Sequence, residues 1–341
     1  VHTMVASGDD PGQKNGIAIH IYSFNANMRN ATQNNQYMYN SDGDFLIVPQ
    51  LERLHVETEL GTMVVHPQEF CVIPRGIVFS VNIYNDDHKA SESVTARGYI
   101  LEVFGGHFHL PELGPIGSNG LANARDFYIP TARFDQRKES ANEATHTIFN
   151  KFGNAIFTRQ SPHSPFNVVA WHGNYVPFKY NLNHFCCINS VTYDHPDPSI
   201  YTVLTVPSTE VGTALADFVV FPANRVMATD ANTFRPPWFH RNCMSEFMGL
   251  ISGSYDAKTE FVPGGCSLHN CMTAHGPDTD SFMKATEKDC SLPERFNGGL
   301  AFMFETKCIL KVSKFALGCK ERERDYATCW DGLEDSFSGR K

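Results

Sequence analysis

Fifteen histidines run through the 341 residues, and the informative ones gather near a carboxylate in one late stretch. That stretch reads Phe234-Arg-Pro-Pro-Trp-Phe-His240-Arg-Asn-Cys-Met-Ser-Glu246-Phe-Met-Gly-Leu250, then Pro263-Gly-Gly-Cys-Ser-Leu-His269-Asn-Cys-Met-Thr-Ala-His275-Gly-Pro-Asp278. Imidazole and carboxylate together can hold a divalent transition metal. Spacing limits how. On one helix His240 and Glu246 would point ~240° apart, at ~100° per residue. On one straight strand they would share a face ~20 Å apart. Neither lets both reach one ion at ~2 Å. A turn at Arg241-Asn242-Cys243 does, because Asn tolerates the left-handed region. His240 would then end one strand and Glu246 open the next, facing it across a hairpin. A second hairpin, opened by Pro263-Gly264-Gly265, would bring His275 to the same point. Two histidines and a carboxylate on strand ends are the facial triad of non-haem iron(II) oxygenases, with the opposite face open. From spacing alone a plainer reading stands beside it: strand-end side chains making hydrogen bonds. Zinc takes the same residue types.

A second constellation competes. His55, Glu57 and Glu59 alternate onto one face of a strand, with His66 on the next. We read this face as a solvated sheet surface carrying polar side chains.

The elements that must carry these groups are β-strands. Short apolar or alternating runs fall at 44–49, 55–59, 62–66, 70–74, 78–83 and 99–104, separated by Gly, Pro and Asp clusters such as Ser41-Asp42-Gly43 and Pro74-Arg75-Gly76. Strands at this spacing make a sandwich or barrel. A second β-rich block runs over 200–312, and the text between 127 and 165 is more polar and mixed. The expectation is mainly β: a double jelly-roll sandwich with a few peripheral helices. One unit covers 1–190, including a central connecting segment, and a second covers 191–341 and carries the metal site. At the end, Tyr326, Trp330, Leu333 and Phe337 fall on one face of a helix that should dock on the sandwich.

Bulk properties remove other classes. A net charge of −9 argues against a nucleic-acid partner, which needs a basic surface. No apolar run approaches the ~18 residues of a membrane helix. The ten cysteines are irregularly spaced, with Cys186 and Cys187 adjacent and no C-x-x-C pair. They read as mostly buried, reduced thiols of a cytoplasmic protein. The chain opens on Val1 without a signal or transit peptide, so it is expected to begin inside a longer protein.

The segment 234–250 resembles the iron-site signature of the homogentisate 1,2-dioxygenases. Further blocks resemble the same family in order: Asn40-Ser-Asp-Gly-Asp-Phe-Leu-Ile-Val-Pro-Gln50, Leu113-Gly-Pro-Ile-Gly-Ser-Asn-Gly-Leu-Ala-Asn123, Ser164-Pro-Phe-Asn-Val-Val-Ala-Trp-His-Gly-Asn-Tyr175 and Asp194-His-Pro-Asp-Pro-Ser-Ile-Tyr-Thr-Val-Leu-Thr205. The resemblance implies a bicupin fold with iron in the later unit. It implies His240, Glu246 and His275 as ligands of Fe(2+), His195 as the catalytic base, and Tyr255, His269 and His275 as substrate contacts. It implies homogentisate and O2 as substrates, 4-maleylacetoacetate as product, a place in tyrosine and phenylalanine breakdown, and a homo-hexamer built from two trimers. The family carries a longer amino-terminal segment than this chain. It also differs near 31–36 and 88–94, and at Cys266 and Cys271, where smaller or hydroxylated residues are expected. His172 reads as structural. Two rivals remain: another ring-cleaving dioxygenase, acting for example on gentisate, and a non-catalytic bicupin.

Overall fold

The run from Phe45 to Val48 has no polar position because its strand is buried on both faces: Phe45 and Ile47 enter one core, Leu46 and Val48 another. The same division holds for Phe70 and Val72 against Cys71 and Ile73. This is the central sheet of a three-layer molecule. The computed structural model describes residues 1–8, 10–29, 35–84, 94–112, 120–133, 145–170, 173–187, 202–223, 225–228, 231–232, 239–335 and 339.

The central sheet has seven strands, in the order Phe178–Asn181, Glu69–Ile73, Asp44–Leu51, Ala96–Val103, Ile17–Phe24, His2–Ala6 and Lys311–Val312, all antiparallel. On one side lies a six-stranded sheet that includes Leu54–Thr58 and Gly61–Val65, its core built from Leu54, Val56, Met63 and Phe79. On the other lies a five-stranded sheet, Thr202–Pro207, Ala214–Phe221, Gly299–Thr306, Ser245–Gly253 and Cys266–His269 in order. The Tyr99 and Phe302 rings, 4.8 Å apart, and those of Phe70 and Phe218, 5.0 Å apart, join this sheet to the centre. The mainly β architecture with few helices is therefore as expected.

Several local expectations change. The polar text before 165 contains an antiparallel hairpin, His146–Phe152 with Ala155–Ser161. Its polar residues do specific work. Lys151 Nζ lies 2.7 Å from Asp42 and 2.8 Å from Glu102, and Glu102 also meets His20 at 3.0 Å and accepts from Asn40. This buried ion cluster ties the hairpin to the central sheet. The face carrying His55 and Glu57 is only partly solvated, with His55 and Glu59 half-buried. Glu57 is buried against Arg29 at 3.0 Å, Glu59 accepts from the Val78 amide, and His66 is exposed. Among the nine cysteines whose burial is described, Cys71 alone is buried, so the expectation of mostly buried cysteines is corrected. The terminal aromatic stripe forms only a 3-10 turn, Tyr326–Trp330, after a short helix, Lys314–Gly318. Gly332 at φ 91° ends it; Leu333 falls beyond, and Phe337 lies outside the described residues.

Candidate metal centre

Alternation along the five-stranded sheet sorts its residues into two sets. Phe247, Phe302, Phe304 and Phe218 face the central sheet, while Glu246, Met248, Met303, Glu305, Ser267, His269 and Phe221 line a cavity of about 270 Å³ on the outer face. Glu246 sits at the start of its strand, opposite Glu305 on one neighbour and His269 on the other. Tyr255, Lys258, His240, His275 and Tyr326 complete the walls.

The three residues marked by spacing converge. The ligand atoms of His240, Glu246 and His275 all lie within 4.8 Å of one another, and no other such group occurs among the described residues. Glu246 Oε2 is 2.9 Å from His275 Nε2, and Glu246 Oε1 is 3.7 Å from His240 Nε2. Donors at ~2.1 Å and right angles around one ion sit ~3 Å apart, so this set fits. The His275 tautomer fits too. Its Nδ1 lies 2.8 Å from the Thr273 carbonyl oxygen, which only accepts, so Nδ1 carries the hydrogen. Nε2 then needs a proton or a cation between itself and the carboxylate, and a carbonyl behind a ligating histidine is the support metal sites use.

The route to convergence differs from the expected pair of hairpins. His240 does not face Glu246 across a hairpin. It pairs with His275 through reciprocal backbone hydrogen bonds of 2.9 and 3.0 Å. The turn between His240 and Glu246 is held by Asn242, whose Oδ1 accepts from the Met244 amide. Its Nδ2 donates to Glu246 Oε1 at 2.9 Å and to Glu305 Oε1 at 3.3 Å. The turn at 263–265, with Gly264 at φ 87°, joins Ser245–Gly253 to Cys266–His269 rather than delivering His275. A loop does that. Asn270 locks it by pairing with both backbone groups of Leu310, at 2.8 and 3.0 Å, while Met272 donates to the Asn242 carbonyl.

Electrostatics follow from burial and neighbours. Burial alone would raise the Glu246 carboxyl, but His240, His275 and the Asn242 amide hold it well below the usual carboxylate range. Glu305 is pushed up to about 8, by burial first and then by the charges of Glu246 and Asp217. His269 is pushed down to about 4, by burial and then by His275, on which it stacks at 4.1 Å. Its Nε2 meets the Tyr326 hydroxyl at 3.0 Å, and its buried Nδ1 has no hydrogen-bond partner among the described residues. Burial raises the Tyr255 hydroxyl strongly, so it stays a neutral donor; its ring packs against Phe221 and Phe261.

Tyr255 and His269 thus line the same cavity as the donor set. His195 and His172 lie outside the described residues. Cys266 and Cys271 do not line the cavity. Asn242, Glu305, Lys258 and Tyr326 escaped the sequence reading. A glutamate inside the apolar run 299–306 was a visible signal, because a strand charge among phenylalanines must face a polar site. Tyr326 had been absorbed into a packing stripe.

A largely buried two-histidine, one-carboxylate set on the outer face of a β sandwich is the constellation of a metal-dependent β enzyme. Family models described as homogentisate 1,2-dioxygenase N-terminal and C-terminal match residues 1–182 and 183–337. The chain belongs to the homogentisate 1,2-dioxygenase family, whose members are ring-cleaving dioxygenases. It is 52% identical to the Dictyostelium discoideum homogentisate 1,2-dioxygenase over 97% of this chain and 72% of that one. To the Homo sapiens enzyme it is 50% identical over 99% of this chain and 72% of that one. Likeness to solved structures is slight. A bacterial pirin from Escherichia coli in complex with nickel(II) gives a TM-score of 0.31 at 8% identity, covering 90% of this chain and 93% of that one. An oxalate decarboxylase from Bacillus subtilis gives 0.31 at 10%, covering 95% and 77%. Among the described residues no helix is long and apolar enough to cross a membrane.

Proposed function

We propose that the chain opens the ring of homogentisate with molecular oxygen, giving 4-maleylacetoacetate in tyrosine and phenylalanine breakdown, with iron(II) held by His240, Glu246 and His275. The observation that carries this reading is the convergence of those donors, within 4.8 Å of one another, on a cavity of about 270 Å³. Iron(II), when bound, supplies open positions for a substrate hydroxyl and for oxygen, and permits triplet oxygen to react with a closed-shell ring.

The protein's own groups prepare the substrate. Glu246 supplies the one anionic ligand, kept ionised by its neighbours. Met248, Met303, Phe221 and Phe261 give apolar walls against which an aromatic ring packs. Tyr255, protonated, donates a hydrogen bond to the substrate. His269 stays neutral and offers an acceptor or a donor beside His275. His195 takes the proton from a ring hydroxyl, a task for which imidazole chemistry is suited near neutral pH. Proton removal raises the electron density of the ring, and the ring carbon bearing the hydroxyl then parts from the carbon bearing the acetate arm. Both oxygen atoms end in the product.

The proposal extends to a cytoplasmic homo-oligomer, a hexamer of two trimers, and to cupin-like units at 1–190 and 191–341. Anaerobic reconstitution with iron(II), followed by oxygen uptake on adding homogentisate, tests the central reading. Stoichiometric uptake is expected. An iron-loaded protein that consumes no oxygen with homogentisate overturns it.

A further inference from the structure

The acids that line the cavity are already committed. Asp278 accepts from the Ser281 amide and from both the amide and hydroxyl of Thr259; Glu246 is held by the histidines and Asn242; Glu305 accepts from Asn242. Two lining residues are cationic, Arg241 and Lys258. Arg241 is exposed at the rim. The Lys258 side chain is only 15% exposed, and its Nζ lies 3.9 Å from the centre of the Tyr326 ring. Among the described residues its carboxylate partner is Glu323, 3.3 Å away on a side chain 56% exposed. A partner so open to water is screened and weakly held. The cavity therefore presents a largely buried ammonium with no committed buried anion.

Its position is fixed before any ligand arrives. Lys258 shares a loop with Tyr255. The Ala257 carbonyl accepts from the Asp278 amide, and the Thr259 amide donates to the Asp278 side chain, so the backbone is clamped on both sides of Lys258. Tyr326 supports the ammonium from below and holds His269 through its hydroxyl. The apolar walls would take the ring, the donor set its hydroxyl, and the ammonium what projects from the ring. From this geometry, and resting on the functional reading above, we propose that Lys258 binds the carboxylate of the substrate's acetate arm and makes the site selective for anionic arylacetates. A carboxylate is a better partner for the ammonium than the exposed Glu323, because it would meet it with less water between.

The test compares homogentisate with its methyl ester, which keeps the ring and loses the charge. Binding is measured under argon by calorimetry on the zinc-loaded, redox-inert enzyme, and KM on the iron enzyme. Lys258→Met should weaken homogentisate about tenfold or more, leave the ester unchanged and spare kcat. Glu323→Gln, an exposed change that any stable fold tolerates, should tighten homogentisate and leave the ester alone, because it frees the ammonium. Equal losses on acid and ester, or no change in either variant, overturn the assignment and reduce Lys258 to a packing partner of Tyr326. Failure of the unaltered enzyme to bind homogentisate at all would instead overturn the functional reading.

Discussion

Glu246 and Glu305 are directly opposed on adjacent strands and share the amide of Asn242. Two carboxylates so placed do not both ionise in a buried setting. Glu246 keeps its charge because two histidines face it, and Glu305 holds its proton up to about 8.

This difference sets the pH dependence of the metal-free protein. Glu305 has a folded value above its ordinary 4.5, so the stability it lends is full below that pH and is lost as pH rises to about 8. His269 has a folded value of about 4, below its ordinary 6.5, so stability is lost as pH falls between those two. The two effects oppose each other between 4.5 and 6.5, giving a plateau with a decline on either side. Urea midpoints of metal-stripped protein against pH measure it. Glu305→Gln should flatten the limb above 6.5, and an unaltered limb would remove Glu305 as its cause.

Removing the charge of the central ligand separates metal binding from folding. Glu246→Gln should reduce bound iron at least tenfold and abolish oxygen uptake, with circular dichroism unchanged, because an amide is a poor ligand for a hard cation. Normal iron content in this variant would defeat the donor set.

Asn242 positions that ligand without belonging to the set. Asn242→Asp places a third acid against Glu246 and Glu305 and removes the amide donor, so affinity for the metal should fall about 10- to 100-fold. Metal titration in a competing chelator reads this directly. Asn242→Ser, which keeps a short polar cap for the turn, should retain the fold and show a smaller loss.

Far from the site, Lys151→Met tests the ion cluster. It leaves Asp42 and Glu102 buried beside each other, with His20 and Asn40 the remaining side chains on Glu102. Breaking a buried pair from one side costs about 3–5 kcal/mol, read as a drop in unfolding free energy. A change near zero would mean water replaces the ammonium.

Much of this was legible beforehand. The strands at 44–51, 54–58, 69–73 and 245–253 announced themselves because their burial is continuous or alternates with the pleat. His240, Glu246 and His275 stood out because few residue types ligate a metal. Their geometry did not, since the His240–His275 bridge joins backbone groups that no side-chain pattern records. The hairpin at 146–161 was hidden because the side chains of Ala155–Ser161 are almost all exposed and the hairpin is tied to the central sheet through a lysine, two acids and backbone amides rather than through apolar alternation. Asn242 looked like an ordinary turn residue, and only the opposing strand gives its amide a second task.

The strand His2–Ala6 pairs with Lys311–Val312 at the sheet edge, its Thr3 carbonyl accepts from the Ser313 hydroxyl, and the His2 ring stacks on Phe315 at 4.0 Å. The tail that continues from there supplies Tyr326 and Cys329 to the cavity wall. Damage to the opening strand would therefore be felt as a leaking pocket some three hundred residues later in sequence, with every donor atom intact. Loss of turnover in this protein is not by itself a reason to look for a lesion among the ligands.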